Sequence, residues 1–300
     1  MLSVSKTQVV GFRKLLNMDV YLLTASIICI SMIAFCSPIL MRIAYIFYTK
    51  NDFRELHCYR LMGHLVTSYS LFGPVMFVVL SAFLLDTDLL GFLATVHLFG
   101  QFIWCFTILM TCLLAIDRLI TVCQLPVNGS VLDVLSIVGL IIDVCRFVFL
   151  LSPYAGVQLD LSKITIVFDE SKSYSITMQY LTFCVNTAVN LTTLLTYFVL
   201  FLYLLCKKVH FGLSSINGQQ KRFLIKAVLI FLSQVSVDLL YCIIRPLILG
   251  LDWQLALFIL WEMVSVTFAP LCAIFAFTKN IRKHIFPCFK KTFAHSVGSV

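Results

Sequence analysis

The chain is predicted to be an all-α membrane protein, a seven-transmembrane helix bundle followed by a short amphipathic eighth helix. Three observations predict it. Seven apolar stretches are each long enough to cross about 30 Å of hydrocarbon at about 1.5 Å per residue. Of the 300 residues, 61% are hydrophobic and 12% charged, about half the charged fraction of a soluble domain. The basic residues behind the net charge of +8 cluster between and after the apolar stretches. That placement sets orientation in a membrane and gives no face for nucleic acid.

Inside hydrocarbon the backbone has no water to pair with, which leaves helix as the state of each stretch. The first, α1, is expected over about 20–47 and contains Pro38. Lys6, Arg13 and Lys14 precede it, as in a secretory leader. The run is too long for a cleaved leader and no small-residue cleavage site follows, so it reads as a retained helix. The second, α2, covers about 61–85 with Gly73-Pro74 inside it, and α3 covers about 91–123. Next come α4 over about 131–154, α5 over about 176–206, α6 over about 223–249 and α7 over about 254–277. The connections, of which 155–175 and 207–222 are the longest, are too short for a further domain. Residues 1–300 therefore read as one domain, without repeats or low-complexity segments. After α7, Ile281, Ile285 and Phe289 recur every fourth residue beside Arg282 and Lys283. This suits an amphipathic helix over about 279–289 on the inner leaflet. Cys288 is either a palmitoylation site there or an unmodified thiol.

Lys and Arg counts set the expected orientation. With the N-terminus outside, the inner segments carry fourteen and the outer segments six, which favours a multi-pass plasma-membrane protein with its C-terminus inside. Most of the twelve Cys, among them Cys29, Cys36, Cys112, Cys184, Cys242 and Cys272, lie in apolar runs and act as small apolar side chains. No pair has zinc-finger spacing, and no metal or cofactor is expected.

Against this background a few polar residues stand out. The inner end of α3 reads Asp117-Arg118, charges that are costly to place there unless they have a task; the plain alternative is snorkelling to the headgroups. Arg222 and Lys226 open α6 on the same side, either to meet Asp117 or a cytosolic partner, or as positive-inside anchors. Polar residues recur at helical spacing on three helices: His97, Gln101 and Trp104; Asn186, Asn190, Thr193 and Tyr197; Gln234, Asp238, Tyr241 and Arg245. Such stripes turn inward because each unsatisfied polar group in lipid costs several kcal/mol (~). They line a ligand cavity or hydrogen-bond helix to helix. Asp143 and Arg146, three apart on α4, can pair. Glu262, about two turns into α7, is a candidate counter-charge for a cationic ligand, or else a protonated or internally paired Glu, with Arg245 as a partner.

Seven spans, an N-out topology, Asp117-Arg118-Leu119, Pro270 in α7 and an amphipathic eighth helix together resemble the rhodopsin-like G-protein-coupled receptors. Asp117-Arg118-Leu119 is similar to the family's Asp-Arg-Tyr. Ala269-Pro270-Leu271-Cys272-Ala273 stands where the family has Asn-Pro-x-x-Tyr, with only the Pro kept. Helix α1 has no Asn, α2 has no intramembrane Asp, and no Cys lies at the outer end of α3 or in 155–175. These departures, with 27 Phe and 12 Cys, resemble the divergent nematode serpentine chemoreceptors. The resemblance implies a chemosensory receptor, not an enzyme, that binds a small molecule among α3, α5, α6 and α7 and activates a heterotrimeric G protein. By the same resemblance, Asp117, Arg118, Arg222, Lys226 and Pro270 serve coupling and switching. His97, Gln101, Trp104, Asn186, Asp238, Tyr241, Arg245 and Glu262 serve the ligand at that depth. The competing readings are a small-molecule transporter or channel, which paired repeats would favour, and a seven-helix lipid hydrolase, which needs several His and a carboxylate on one metal. With no Lys in α7 for a Schiff base, a light-sensing pigment is disfavoured.

Overall fold

The structure, a computed structural model, describes residues 20–54, 57–85, 92–127, 129–160, 165–211, 218–240, 252–277 and 285. Seven long helical segments form one bundle: α1 Val20–Thr49, α2 His57–Leu85, α3 Phe92–Cys123, α4 Ser130–Leu150, α5 Ser175–Phe211, α6 Gly218–Leu239 and α7 Asp252–Phe277. Five are long and apolar enough to cross a membrane on length and composition alone: α1, α2, α3, Ser175–Lys207 of α5 and Trp253–Phe275 of α7. Each of the other two carries extra charge, Asp133, Asp143 and Arg146 on α4 and Lys221, Arg222, Lys226 and Asp238 on α6. The bundle is a membrane protein, with Asp117, Arg118 and Lys226 buried inside it.

Neighbours follow a ring: α1 packs on α2 and α7, α2 on α3, and α6 on α7. Helix α3 stands inside the ring, touching α2, α4, α5 and α6. Its buried residues accordingly run all along it, from Leu93 to Arg118. On α4 only Leu132 and Leu150 are buried, which leaves an apolar face for lipid. Close approach is set by small residues. A Cβ on Gly73 of α2 would collide with the Ser37 hydroxyl of α1, and a Cβ on Gly139 of α4 with Leu109 of α3. Phenylalanines fill the wider gaps: Phe99, Phe102 and Phe147 meet at ring-centroid distances of 5.8–6.1 Å across α3 and α4.

The helix ends have local causes. Helix α3 stops where Gln124 takes a positive φ of 54° and Leu125 N–H reaches back to the Ile120 carbonyl at 3.0 Å, the six-to-one bond of a left-handed C-cap. Helix α4 ends at Leu150, short of the expected 154, because Pro153 disfavours helix at the residue before it. The Ser152 hydroxyl then caps the Phe149 carbonyl at 2.6 Å. Helix α7 contains a π segment, Val264–Phe268. Ala269 N–H bonds to Val264 O across that wider turn, immediately before buried Pro270, which has no N–H to give. Helix α2 starts at His57, four residues before the expected start.

Between α4 and α5 the expected irregular loop contains a hairpin, β1 Val157–Asp160 paired antiparallel with β2 Thr165–Phe168, with Val157 opposite Phe168 and Asp160 opposite Thr165. Thr165, Ile166 and Val167 are β-branched and suit a strand, but four residues are too few to show a period. The hairpin is pinned by Gly156 N–H to Ser175 Oγ at 3.0 Å and by Lys172 Nζ to the Ala155 carbonyl at 3.1 Å. Ala155 packs under it against Leu98 and Leu150. At its rim Asp169 accepts from the Ser171 hydroxyl at 2.6 Å, which holds that carboxyl below the ordinary carboxylate range. The expected amphipathic helix with Cys288 lies outside the described residues apart from Ile285, which is helical and half-buried against the core.

Candidate functional site

Two polar clusters occupy the bundle. The first lies at the end remote from the hairpin, where α3 finishes. Asp117 and Arg118 are both buried, with relative exposures of 7% and 9%. The Arg118 Nε donates to Asp117 Oδ2 at 3.1 Å, and its Nη2 reaches the same oxygen. The other Asp117 oxygen is taken by His57 Nδ1 of α2 at 3.0 Å. The second ring nitrogen of His57 meets Asp133 Oδ1 of α4 at 3.0 Å, and Asp133 Oδ2 accepts from Arg60 Nη2 at 3.2 Å. The result is an unbroken row, Arg118–Asp117–His57–Asp133–Arg60, that stitches α3, α2 and α4. Each anion stands between cationic or donating groups, the arrangement that makes buried charge tolerable.

Lys226 enters this end from α6, 1% exposed, in electrostatic reach of Cys58 and Arg118. Cys58 in turn faces Arg118, Asp117 and Lys226. Tyr197 of α5 lies within reach of Arg118 and packs its ring on Phe231 of α6 at 5.5 Å. Arg222 lies in the first turns of α6. Pro270 is buried in α7 just after the π segment.

The second cluster lies deeper, toward the hairpin. Asp238 of α6 accepts from Trp104 Nε1 of α3 at 3.1 Å through one oxygen and from Asn190 Nδ2 of α5 at 2.6 Å through the other. Three helices are tied by one carboxylate. Trp104 also leans on Phe72 of α2, 6.3 Å between rings. One turn from Asn190, Asn186 Nδ2 donates to Cys105 Sγ at 3.5 Å. Gln234, one turn from Asp238, is 1% exposed, and its Nε2 has no hydrogen-bond partner among the described residues; neither has His97 Nδ1 of α3. Gln101 is half-buried on the same helix. On α4, Asp143 and Arg146 form an ion pair at 3.5 Å, and Arg146 Nη1 extends to Thr182 Oγ1 of α5 at 3.3 Å.

Of the residues singled out from sequence, Trp104 and Asp238 are thus brought together, with Asn190 as their third member. Asn186 and His97 lie on the same helices. Glu262 of α7 lies within electrostatic reach of Cys29 of α1. Tyr241, Arg245 and Cys288 lie outside the described residues. Sequence reasoning passed over His57, Arg60 and Asp133. Their signal is present as opposite charges at the ends of neighbouring spans, but with α2 expected from 61, His57 and Arg60 fall in the loop before it. Among the described residues no three His, Cys, Asp or Glu side chains converge as metal ligands do.

No protein-family model matches the chain, and no curated protein matches its sequence. Among solved structures it is similar to squid rhodopsin, with a TM-score of 0.68 and 14% identity over 91% of this chain and 84% of that one. At that identity the likeness concerns architecture. The chain has the rhodopsin-like seven-helix fold.

Proposed function

We propose that the chain is a G-protein-coupled receptor of chemosensory type, in the plasma membrane with its N-terminus outside. The hairpin end is then extracellular and the Asp117–Arg118 end cytosolic. The observation that carries this reading is the buried Asp117–Arg118 pair at the end of the central helix, in a rhodopsin-like bundle, with Lys226 of α6 buried beside it. Two arrangements of such a pair can be close in energy, one with Arg118 held by Asp117 and one with Arg118 released when α6 moves away. Release opens a groove lined by Arg118, Lys226 and Arg222 to the α subunit of a heterotrimeric G protein.

A small molecule from outside binds among α3, α5, α6 and α7, near Trp104, Asn186 and Asp238. His97 Nδ1 and Gln234 Nε2, buried without protein partners among the described residues, supply polar contacts for it, with Gln101 alongside. Tyr241 and Arg245, which follow α6 in the sequence, and Glu262 of α7 complete the proposed set of ligand residues. The ligand acts only through its greater affinity for the open state. Cys288 adds a lipid anchor on the cytosolic side.

The test is nucleotide exchange. Arg118→Ala should abolish ligand-stimulated exchange on G protein while surface expression stays near normal. A screen of small molecules in cells reporting calcium or cyclic nucleotide, with Arg118→Ala as control, finds the ligand. Undiminished signalling by Arg118→Ala would remove Arg118 from the switch. Ligand-gated current in cells without G proteins would replace the receptor reading with a channel.

A further inference from the structure

We propose that His57 is the positioning residue of the Asp117–Arg118 switch, a proton-dependent clasp that holds α3 to α4 in the closed state. The geometry carries it. His57 Nδ1 lies 3.0 Å from Asp117 Oδ1 and Nε2 lies 3.0 Å from Asp133 Oδ1. Carboxylates are acceptors, so both contacts are hydrogen bonds only when both ring nitrogens carry protons. Neutral imidazole offers one donor and one lone pair, and the lone pair would face a carboxylate. Histidine is the side chain whose charge changes in the range from about pH 5 to about pH 8.

The groups that face His57 are known from each element packed around it. From α3 come Asp117 and, behind it, Arg118; from α4 comes Asp133. Its own helix supplies Arg60, which shares Asp133, and Cys58, whose thiol also faces Lys226 of α6. The start of α4 rests on the ring itself: a Cβ on Gly129 would stand 3.4 Å from His57 Cδ2, so the ring fills the space under the α3–α4 turn. Two carboxylates converge on one imidazole.

The direction follows. Protonated His57 keeps one Asp117 oxygen engaged and fixes the carboxylate so that its other oxygen points at Arg118. Loss of the proton breaks one of the two bonds and sets a lone pair against an anion. Asp117 is then freer to turn and Arg118 is held less well. Acidification favours the closed state and alkalinisation the open one.

This deepens the receptor reading, and the experiment separates the two. The full chain in nanodiscs is labelled with 15N-histidine, and His57→Asn assigns the resonance. As pH rises the His57 ring should pass from two protonated nitrogens to one. Along with that change basal nucleotide exchange on purified G protein, corrected for a receptor-free blank, should rise about threefold to tenfold, the effect of losing one charge-assisted hydrogen bond. His57→Lys, a constant cation, should stay low at every pH, and His57→Asn, which donates without charge, should stay high. Asp133→Asn retains the Asp117 contact and should flatten the rise, which covers the case in which a His57 variant does not fold. A His57 ring that is neutral across the range overturns the proposal, as does the same pH slope in wild type, His57→Lys and His57→Asn. If no exchange occurs at any pH, the receptor reading fails. The clasp is then upheld by a doubly protonated His57 whose titration moves the Asp117 and Asp133 carboxyl signals, and overturned by one that leaves them still.

Discussion

The two polar clusters solve the same problem in different ways. Around Asp238 one anion meets two neutral donors, Trp104 and Asn190, and the set is closed on itself. Around Asp117 five charged or chargeable groups alternate in a row that ends on half-exposed Arg60, whose side chain is 45% accessible. The first ties α3 to α5 and α6, the second ties α3 to α2 and α4. A buried, closed set around one carboxylate is screened little by salt, and a row that reaches solvent is screened more. In the receptor reading the difference assigns labour: the deep cluster reports on the ligand by joining the helices that move, and the terminal row keeps the base still until it is released.

The largest expected effect breaks the deep cluster. Asp238→Ala leaves the Trp104 Nε1 and Asn190 Nδ2 donors without their acceptor. Each buried donor so orphaned costs about 1–3 kcal/mol, toward the low end in lipid, where helix–helix hydrogen bonds average about 0.6 kcal/mol. The sum is about 2 kcal/mol, read as a fall of several degrees in the thermal midpoint of the purified protein. Asp238→Asn keeps one acceptor and should lose about half as much. Equal losses for the two variants would show that Trp104 and Asn190 do not converge on this carboxylate.

The fold was legible because span length and apolar content are chemistry the chain cannot hide. The inward turn of the stripes was legible too: Thr193 and Gln234 are each 1% exposed, as helical spacing implied. Partner identity was not legible. That Asp238 takes Asn190 rather than Asn186 depends on helix rotation and depth, which packing sets. The hairpin was missed because four-residue strands show no periodicity. The terminal row was missed because α2 begins a turn earlier than its apolar run. Its first turn, with His57 and Arg60, is helical because it packs on α4 and the aromatic corner of Phe47, Phe53 and Tyr59, not because it is apolar.

A middle-sized effect separates switching from stability. Asp117→Asn keeps the shape and removes the charge that holds Arg118 and His57. Basal nucleotide exchange should rise about tenfold, the factor that corresponds to about 1.4 kcal/mol, while the thermal midpoint moves less than in Asp238→Ala. A large loss of stability with no gain in exchange would mean that the row is scaffolding alone.

The smallest effect concerns the solvent end of the row. Arg60 and Asp133 have side chains 45% and 41% accessible, 3.2 Å apart, and an ion pair so exposed is worth at most about 1 kcal/mol and often nothing measurable. Arg60→Ala should therefore change the thermal midpoint by less than about 0.5 kcal/mol equivalent. Its influence should fall on His57 instead, because an Asp133 released from Arg60 is a stronger acceptor for Nε2. Basal exchange should then be lower in Arg60→Ala than in the unaltered chain at the same pH. If Arg60→Ala destabilises as much as Asp238→Ala, the row is not graded from core to solvent, and the contrast between the two clusters fails at its outer end.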